Sequence, residues 1–535
     1  MERLAVAGDG AGGYNFSKLT GAMTMTEFHR LTQLLDGLSA QVRGPGGAIA
    51  VLKDGVPVVR QAWGWADVDR RIAFTPATLF RICSISKQFT CATMLERHPD
   101  PTVLNGDLPK HLPKLGARPS VLHLAHNQSG LRDYWATTVL CGAVPESVFG
   151  PDDARDLTAR SAALQFASGT RYSYCNQNFR ILGELVQDRA GTDLGLLMRR
   201  HVFDPAGMPS ALMCPETSAM PDGTIGYEGS LEDGWRPAVN RLHWTGDAGI
   251  AASLDDMIAW EQAIDAARDD PASRYAIQSQ PTNFADGTPA AYGFGLSHMM
   301  IHGKPAIGHG GGLRGWRSTR FYVPSERISV VVLFNHMADP GAVASDLLGA
   351  LLDAPAPAAP PPANPDWAGN YRDDETGLLA RVEITAAQRV RLWFGQGPDL
   401  LDPTEDGQAS GGAVSLRADG AGLVMERRKE NLRSILVRCD GAASRDIDGT
   451  FYNAEYGSTF SCVAAGGVLY GAFAGVLGRG LMEPLLPAGP DLWRLPCPRA
   501  LDFSAPGDWT LHFSPDRKNV TIGCWLARGI GFARV

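Results

Sequence analysis

The chain has 535 residues, 44% of them hydrophobic and 20% charged, with a formal net charge of -8. This length exceeds a single hydrophobic core and predicts two to four domains. The mild acidity, with no run of lysine or arginine, argues against nucleic acid or an anionic membrane as a partner, and in favour of small molecules or peptides.

Nine cysteines lie scattered at 83, 91, 141, 175, 214, 439, 462, 497 and 524, with no CxxC or Cys/His ligand spacing. That pattern predicts free thiols in a reducing, cytoplasmic compartment, with no metal and no cofactor. No apolar run approaches the roughly 18 residues of a membrane span.

In chain order, residues 1–24 lack the apolar segment of a secretory signal and read as a disordered leader outside the fold. Thr24-Met-Thr-Glu27 is a capping-box pattern, and Phe28, Leu31, Leu34, Leu35, Leu38 and Val42 keep a 3.6-residue period, so an amphipathic helix begins there. Two β-rich runs then flank Lys53-Asp54-Gly55, a hairpin signal. A second hairpin is predicted from Ser318 to Val323 and Ile328 to Phe334, with helical stretches such as Leu254 to Ile264 between the two. Strands at both ends and helices in the middle predict an α+β domain over 25–353, its antiparallel sheet closed by distant segments.

The composition changes abruptly to DAPAPAAPPPANP, an extended Pro/Ala linker over 354–365. Beyond it, Gly369-Asn-Tyr371 followed by Glu375-Thr-Gly377 recurs as Gly449-Thr-Phe451 followed by Glu455-Tyr-Gly457 at the same spacing. Trp393-Phe394-Gly395 is loosely echoed by Tyr470-Gly-Ala-Phe473. Two antiparallel β-barrel domains are therefore expected, at 366–443 and 446–535.

The chemistry begins in RICSISKQFT, residues 81–90. On a helix, Ser84 and Lys87 share a face with Cβ atoms about 5–6 Å apart. Ser86 points about 100° away around the helix, and Cys83 also faces elsewhere. A serine hydroxyl needs a base to take its proton, and a lysine serves only as a neutral amine. Tyr172-Ser-Tyr174-Cys-Asn176 adds a tyrosine able to relay protons and a carboxamide able to hold a substrate carbonyl; alone it also reads as a polar loop. Gly308-His309-Gly310-Gly311-Gly312 puts bare backbone beside an imidazole at a strand edge, which suits close approach of a ligand; alone it also reads as a flexible turn.

S-x-x-K, Y-x-N and H-x-G in this order resemble the serine β-lactamase and penicillin-binding-protein superfamily. His126-Asn-Gln-Ser-Gly130-Leu-Arg-Asp-Tyr134 and Gly246-Asp-Ala-Gly249 fit as well. A histidine in the third motif, two appended β domains and the closing GCWLARG are similar to the bacterial D-aminopeptidases. The resemblance implies a β-lactamase-like catalytic domain and metal-independent hydrolysis of an N-terminal D-residue from small peptides, amides or esters.

It implies Ser84 as acylated nucleophile, Lys87 as its proton acceptor, and Tyr174 as partner base or as donor to the leaving amine. Asn176 and His309 position substrate. Backbone N–H groups of Ser84 and Gly312, in the Gly310-Gly311-Gly312 run, form an oxyanion hole, a device worth about 3–4 kcal/mol per donor. A largely neutral imidazole at 309 does not recruit a substrate carboxylate, and no motif names an anionic partner for a substrate ammonium. Arg241 is a second polar candidate for the cleft, beside the reading of a surface ion pair.

The glycine-rich stretch Tyr470 to Gly480 is mobile by composition. With Phe473, Gly475 and Gly478 it reads either as a gate that shortens the cleft to one residue or as an ordinary wide hairpin loop. The competing activities are those of an esterase, a β-lactamase or a D,D-carboxypeptidase, and the competing class is a non-catalytic binding protein on the same scaffold. A homodimer is the expected assembly.

Overall fold

The structure, a computed structural model, describes residues 23–354, 360–420, 422–501 and 506–535. Residues 1–22 of the expected leader and 355–359 of the expected linker lie outside them. Of the described residues, one compact unit takes 23–101, 179–281 and 293–354, and a second takes the rest. Among the described residues no helix is long and apolar enough to cross a membrane.

In the first unit Thr24 caps the helix Met25–Gln41 as its sequence predicts. Its hydroxyl accepts the Glu27 N–H at 3.2 Å, while the Glu27 carboxylate accepts the Thr24 N–H at 2.6 Å. The antiparallel sheet runs in the order Leu296–Ile301, Lys304–Leu313, Trp316–Val323, Ile328–Phe334, Gly46–Lys53, Val56–Asp67, Ile72–Ala73. Pairing from Gly47↔Phe334 to Lys53↔Ile328 joins the two distant hairpins, so the sheet is closed by both ends of the domain. Asp54 (φ 52°) and Gly55 (φ 73°) make the first hairpin turn with two left-handed residues, whose twist matches that of the strands.

One sheet face is covered by Leu31, Leu35 and Leu38 of the first helix and by Val343, Leu347 and Leu351 of the helix Pro340–Leu352. These pack against Ile49, Val51, Val330 and Val332. Arg320, on Trp316–Val323, reaches Glu261 of the helix Leu254–Ala267 in a bidentate pair at 2.6 and 2.7 Å. Both side chains are fully buried, so losing either partner strands a charge at a cost of about 3–5 kcal/mol.

In the second unit the strands from Gly369–Asp373 to Leu432–Arg438 form a closed eight-stranded barrel. Gly449–Asn453 begins a ten-stranded sheet that curls around Phe451, Phe460, Phe473, Trp509 and Phe513 as a half-barrel with edges at Gly478–Arg479 and Leu486–Gly489. The sequence repeat has a physical cause in both halves. Each begins Gly-x-aromatic, and its last strand pairs an arginine opposite the aromatic residue, Tyr371↔Arg438 and Phe451↔Arg534. The guanidinium lies over that ring at 5.4 Å in the first half and 4.8 Å in the second. A Cβ at Gly369 would sit 3.0 Å from Arg438 Nη2, and one at Gly449 would sit 2.4 Å from Arg534 Nη1. Gly449 also holds φ 140°, which L side chains rarely adopt.

Two predictions follow from these packings. Gly449→Ala is expected to destabilise the chain by about 1–3 kcal/mol, read as a lower denaturant midpoint; an unchanged midpoint would remove the steric account of the repeat. His336 is 1% exposed, stacks on Phe334 at 5.0 Å and accepts the Ala338 N–H at Nδ1, and burial lowers its pKa to about 4. The unfolded chain takes up this proton first, near pH 6.5, so the stabilisation is complete above pH 6.5 and is lost as pH falls toward 4, by about 3 kcal/mol per such site. Tm measured across that window should fall in the native chain and fall less in His336→Gln.

Candidate active site

The chain leaves the short strand Phe80–Arg81 through a 3-10 turn, Cys83–Ile85, and only then enters the α-helix Ser86–Arg97. Ser84 therefore lies on the turn rather than on the α-helix that its spacing suggests. The reason is local: Cys83 holds φ 54°, a left-handed conformation that no helix interior contains. Its thiol is fully buried and reaches the Arg81 carbonyl at 3.1 Å, which offsets part of the strain. The expected pairing survives the change of element. Lys87 Nζ donates to Ser84 Oγ at 3.0 Å and to the Asp247 carbonyl at 2.7 Å, and lies 5.5 Å from the Phe179 ring centroid. Lys87 is fully buried.

Ser86 and Cys83, weighed against Ser84, are both turned into the interior. Ser86 Oγ is buried and accepts the Ile250 N–H at 3.1 Å. Cys83 is a small buried residue of the turn. Farther along, burial pushes the Cys91 thiol well above the usual range, an effect that the nearby Lys87 opposes, so Cys91 is no thiolate either.

His309 and Gly310 to Gly312 lie on the strand Lys304–Leu313. His309 is 6% exposed, with Nδ1 2.5 Å from the Gly310 carbonyl oxygen. Gly311 packs directly against the serine turn. A Cβ there would fall 2.3 Å from Ser318 Oγ, 2.4 Å from the Ile82 oxygen and 2.9 Å from Cys83 Cβ. The next strand seals the contact, with Ser318 Oγ donating to the Ile82 carbonyl at 3.0 Å. S-x-x-K and H-x-G are thus brought together in the first unit. Arg241 is exposed.

Tyr174 and Asn176 belong to the second unit. Their segment runs extended against the His126 to Gly130 stretch: Ser173 N–H donates to the Asn127 carbonyl at 2.9 Å and Cys175 N–H to Asn127 Oδ1 at 3.2 Å. Of the two tyrosines, Tyr172 is structural. It is buried, packs on Tyr292 at 5.5 Å and has Lys429 4.9 Å over its ring. Burial pushes its hydroxyl far above the ordinary range. Tyr174 is half-buried. Asn176 opens the helix Asn176–Ala190 and bonds to the buried Asp133, which sits at the N-cap of Tyr134–Leu140.

The glycine-rich stretch is no wide loop. Val468–Gly475 and Gly478–Arg479 pair as a hairpin with only Val476 and Leu477 between them. Phe473 is 3% exposed and lies in the aromatic core between Phe460 and Trp509, so it is a packing residue rather than part of a gate. The tip is held by the turn after Tyr134–Leu140: Leu477 N–H donates to the Cys141 carbonyl at 2.9 Å. A Cβ on Gly142 would meet the Gly478 oxygen at 2.1 Å, and one on Gly475 would meet Cys141 Cα at 3.0 Å. Composition suggested mobility, but these two glycines serve close backbone packing.

Sequence reading passed over Asp133 and the Asp247 carbonyl. An Asp directly before Tyr-Trp is a helix-start signal that marks the first; a backbone acceptor contributed by position has no sequence signal at all.

The Beta-lactamase family model matches residues 31–354, and the model for D-aminopeptidase, domain B, matches 361–533. The chain is 49% identical over 525 residues to the D-aminopeptidase of Gluconobacter oxydans, covering 95% of this chain and 99% of that one. It is 45% identical over 512 residues to the D-aminopeptidase of Brucella ovis, covering 94% and 98%. Among solved structures, the D-amino acid amidase from Ochrobactrum anthropi SV3 superposes with a TM-score of 0.50 at 18% identity, over 61% of this chain and 98% of that one, a likeness of fold.

Because a side chain at Gly311 has nowhere to go, Gly311→Ala must push the strand off the serine turn. We expect a stability loss of about 1–3 kcal/mol and at least about tenfold slower labelling of Ser84 by a fluorophosphonate, followed by intact-protein mass spectrometry. Native labelling in this variant would show that the close approach does not hold the site.

Proposed function

The chain belongs to the D-aminopeptidase family, on a β-lactamase-type fold, and from this premise we propose that it releases N-terminal D-residues from small peptides, amides and esters through an acyl-enzyme on Ser84. The observation that carries the reading is the 3.0 Å contact between Ser84 Oγ and the buried Lys87 Nζ, in a chain aligned with D-aminopeptidases over nearly its whole length.

Each half of the reaction needs two proton transfers and one exchange of acyl partner. The base takes the Ser84 proton as Oγ adds to the carbonyl carbon. The resulting oxyanion is received by two backbone N–H groups, those of Ser84 and Gly312, where charge develops rather than where it already exists. Collapse breaks the C–N bond while an acid delivers a proton to the leaving amine; water then repeats the cycle on the ester. Lys87 serves as the acylation base, with Tyr174 as its partner or as donor to the amine. Asn176 and His309 orient the substrate. A neutral imidazole in the third motif fits a substrate with a free amine and no recruited carboxylate. The hairpin around Gly475 and Gly478 is assigned as the element that limits the cleft to one residue. Its seating on residues 141 and 142 supports a fixed wall rather than a moving gate.

A cytoplasmic setting is part of the same proposal, supported by nine cysteines that form no disulfide among the described residues. A homodimer completes it and is checked by sedimentation equilibrium. Of the division into a catalytic domain over 25–353 and β domains over 366–443 and 446–535, the first boundary is supported by the reach of the two family models and the second by the separate sheets that begin at Gly369–Asp373 and Gly449–Asn453.

The deciding experiment compares D-alanine 4-nitroanilide with its L isomer, its N-acetylated form and the β-lactam nitrocefin. We expect turnover of the free-amine D-amide alone, and Ser84→Ala should lower kcat by at least about 10³-fold. Rapid nitrocefin cleavage without release of nitroaniline would move the protein to the β-lactamases, and absence of any covalent adduct would make it a binding protein.

A further inference from the structure

Two motifs remain without a task in this reaction: Gly130-Leu-Arg-Asp-Tyr134 and the closing Gly523-Cys-Trp-Leu-Ala-Arg-Gly529. In the second unit they form one device. Asp133 N–H donates to the Leu526 carbonyl at 2.9 Å. The preceding residue, Arg132, is 5% exposed; it donates from Nε to the Arg528 carbonyl at 2.8 Å and from Nη1 to Glu455 Oε2 at 2.8 Å. Arg528 is itself held by Trp525, whose carbonyl takes its Nε at 3.0 Å and whose ring lies 4.0 Å from the guanidinium carbon. Residues 132 and 133 are therefore bolted to the C-terminal strand turn by one backbone hydrogen bond and by the buried Arg132 side chain.

The Asp133 carboxylate faces the other way. Oδ1 accepts the Trp135 N–H at 2.7 Å, capping the helix Tyr134–Leu140. Oδ2 accepts both the backbone N–H of Asn176, at 2.5 Å, and its carboxamide Nδ2, at 3.0 Å. Three N–H donors converge on one fully buried side chain, an arrangement that suits an ionised, acceptor-only carboxylate. A carboxamide can be turned over with little change of shape. Here the carboxylate decides the matter: Nδ2 is directed back at Asp133, and Oδ1 is directed away from it.

We propose that Asp133 is a positioning residue for the reaction: it fixes the orientation of the Asn176 carboxamide, and the C-terminal Trp525 to Gly529 turn fixes Asp133. The inference rests on the reading of Asn176 as a substrate-orienting group. The final strand turn thereby contributes to catalysis without touching substrate, and Asp133 discriminates between the two ends of an amide that otherwise differ little in shape.

Asp133→Asn tests this directly, because asparagine is as good a helix cap as aspartate but puts an NH2 group opposite the Asn176 NH2. The carboxamide must turn or retreat. With D-alanine 4-nitroanilide we expect kcat/KM to fall about 10- to 100-fold, the size expected when a charge-assisted hydrogen bond is lost, with Tm within a few degrees of native. In an Asn176→Ala background the same substitution should change kcat/KM, or the rate of acyl-enzyme formation by mass spectrometry, less than about twofold, since residues that act through one group are not additive. Asp133→Ser, which caps the helix without imposing a donor on Asn176, serves as the second variant should the first fold poorly. Native kcat/KM in a folded Asp133 variant, or an equal loss in both backgrounds, overturns the proposal. Failure of the native enzyme to release nitroaniline would instead strike the proposed activity.

Discussion

At Gly311 a strand backbone runs over the turn that carries Ser84 with no room for a methyl group. Most of the first unit's order serves this approach. Pairing of Gly46–Lys53 with Ile328–Phe334 brings the amino-terminal and carboxy-terminal hairpins into one sheet. The buried Arg320–Glu261 pair then fixes the helix Leu254–Ala267 against that sheet. A gap of even 0.5–1 Å forfeits a good part of a dispersion contact, so the Ser84 turn is held by packing density as much as by hydrogen bonds. The left-handed Cys83 is tolerated because burial and the strand above it leave no alternative.

In the second unit, segments far apart in sequence are tied by arginines that meet backbone carbonyls, carboxylates and aromatic faces. Arg438 and Arg534 close the two β halves over Tyr371 and Phe451, while Arg132 and Arg528 bind the YWATTVL helix start to the last strand turn. Guanidinium suits these sites because it donates in a plane, stacks on rings and is weakly hydrated, so its burial beside matched acceptors is tolerable. The Asp133–Asn176 contact rests on this frame.

Much of this was legible beforehand. The capping box at Thr24, the Asp54-Gly55 turn and the Gly-x-aromatic repeat are local rules: each depends on residues within a few positions, and each is found where its rule puts it. Spacing also singled out Ser84 and Lys87 over Ser86 and Cys83, because a separation of three brings side chains together in a 3-10 turn as well as in an α-helix. The glycine-rich stretch is less legible for the opposite reason. Composition reports conformational freedom in an isolated chain, whereas Gly475 is a glycine because another backbone lies against it and Gly478 because it holds φ 128°.

The order of the three motifs, the pairing of Ser84 with Lys87 and the place of the β repeat are written in local spacing and side-chain kind, and a reader of the chain alone can find them. Folding in three dimensions is what sets Ser84 on a strained turn, brings a main-chain oxygen of Asp247 to Lys87, buries Phe473 in the core and joins Asp133 to Asn176. These are properties of groups far apart in the chain or of backbone atoms that every residue possesses, so no residue name announces them.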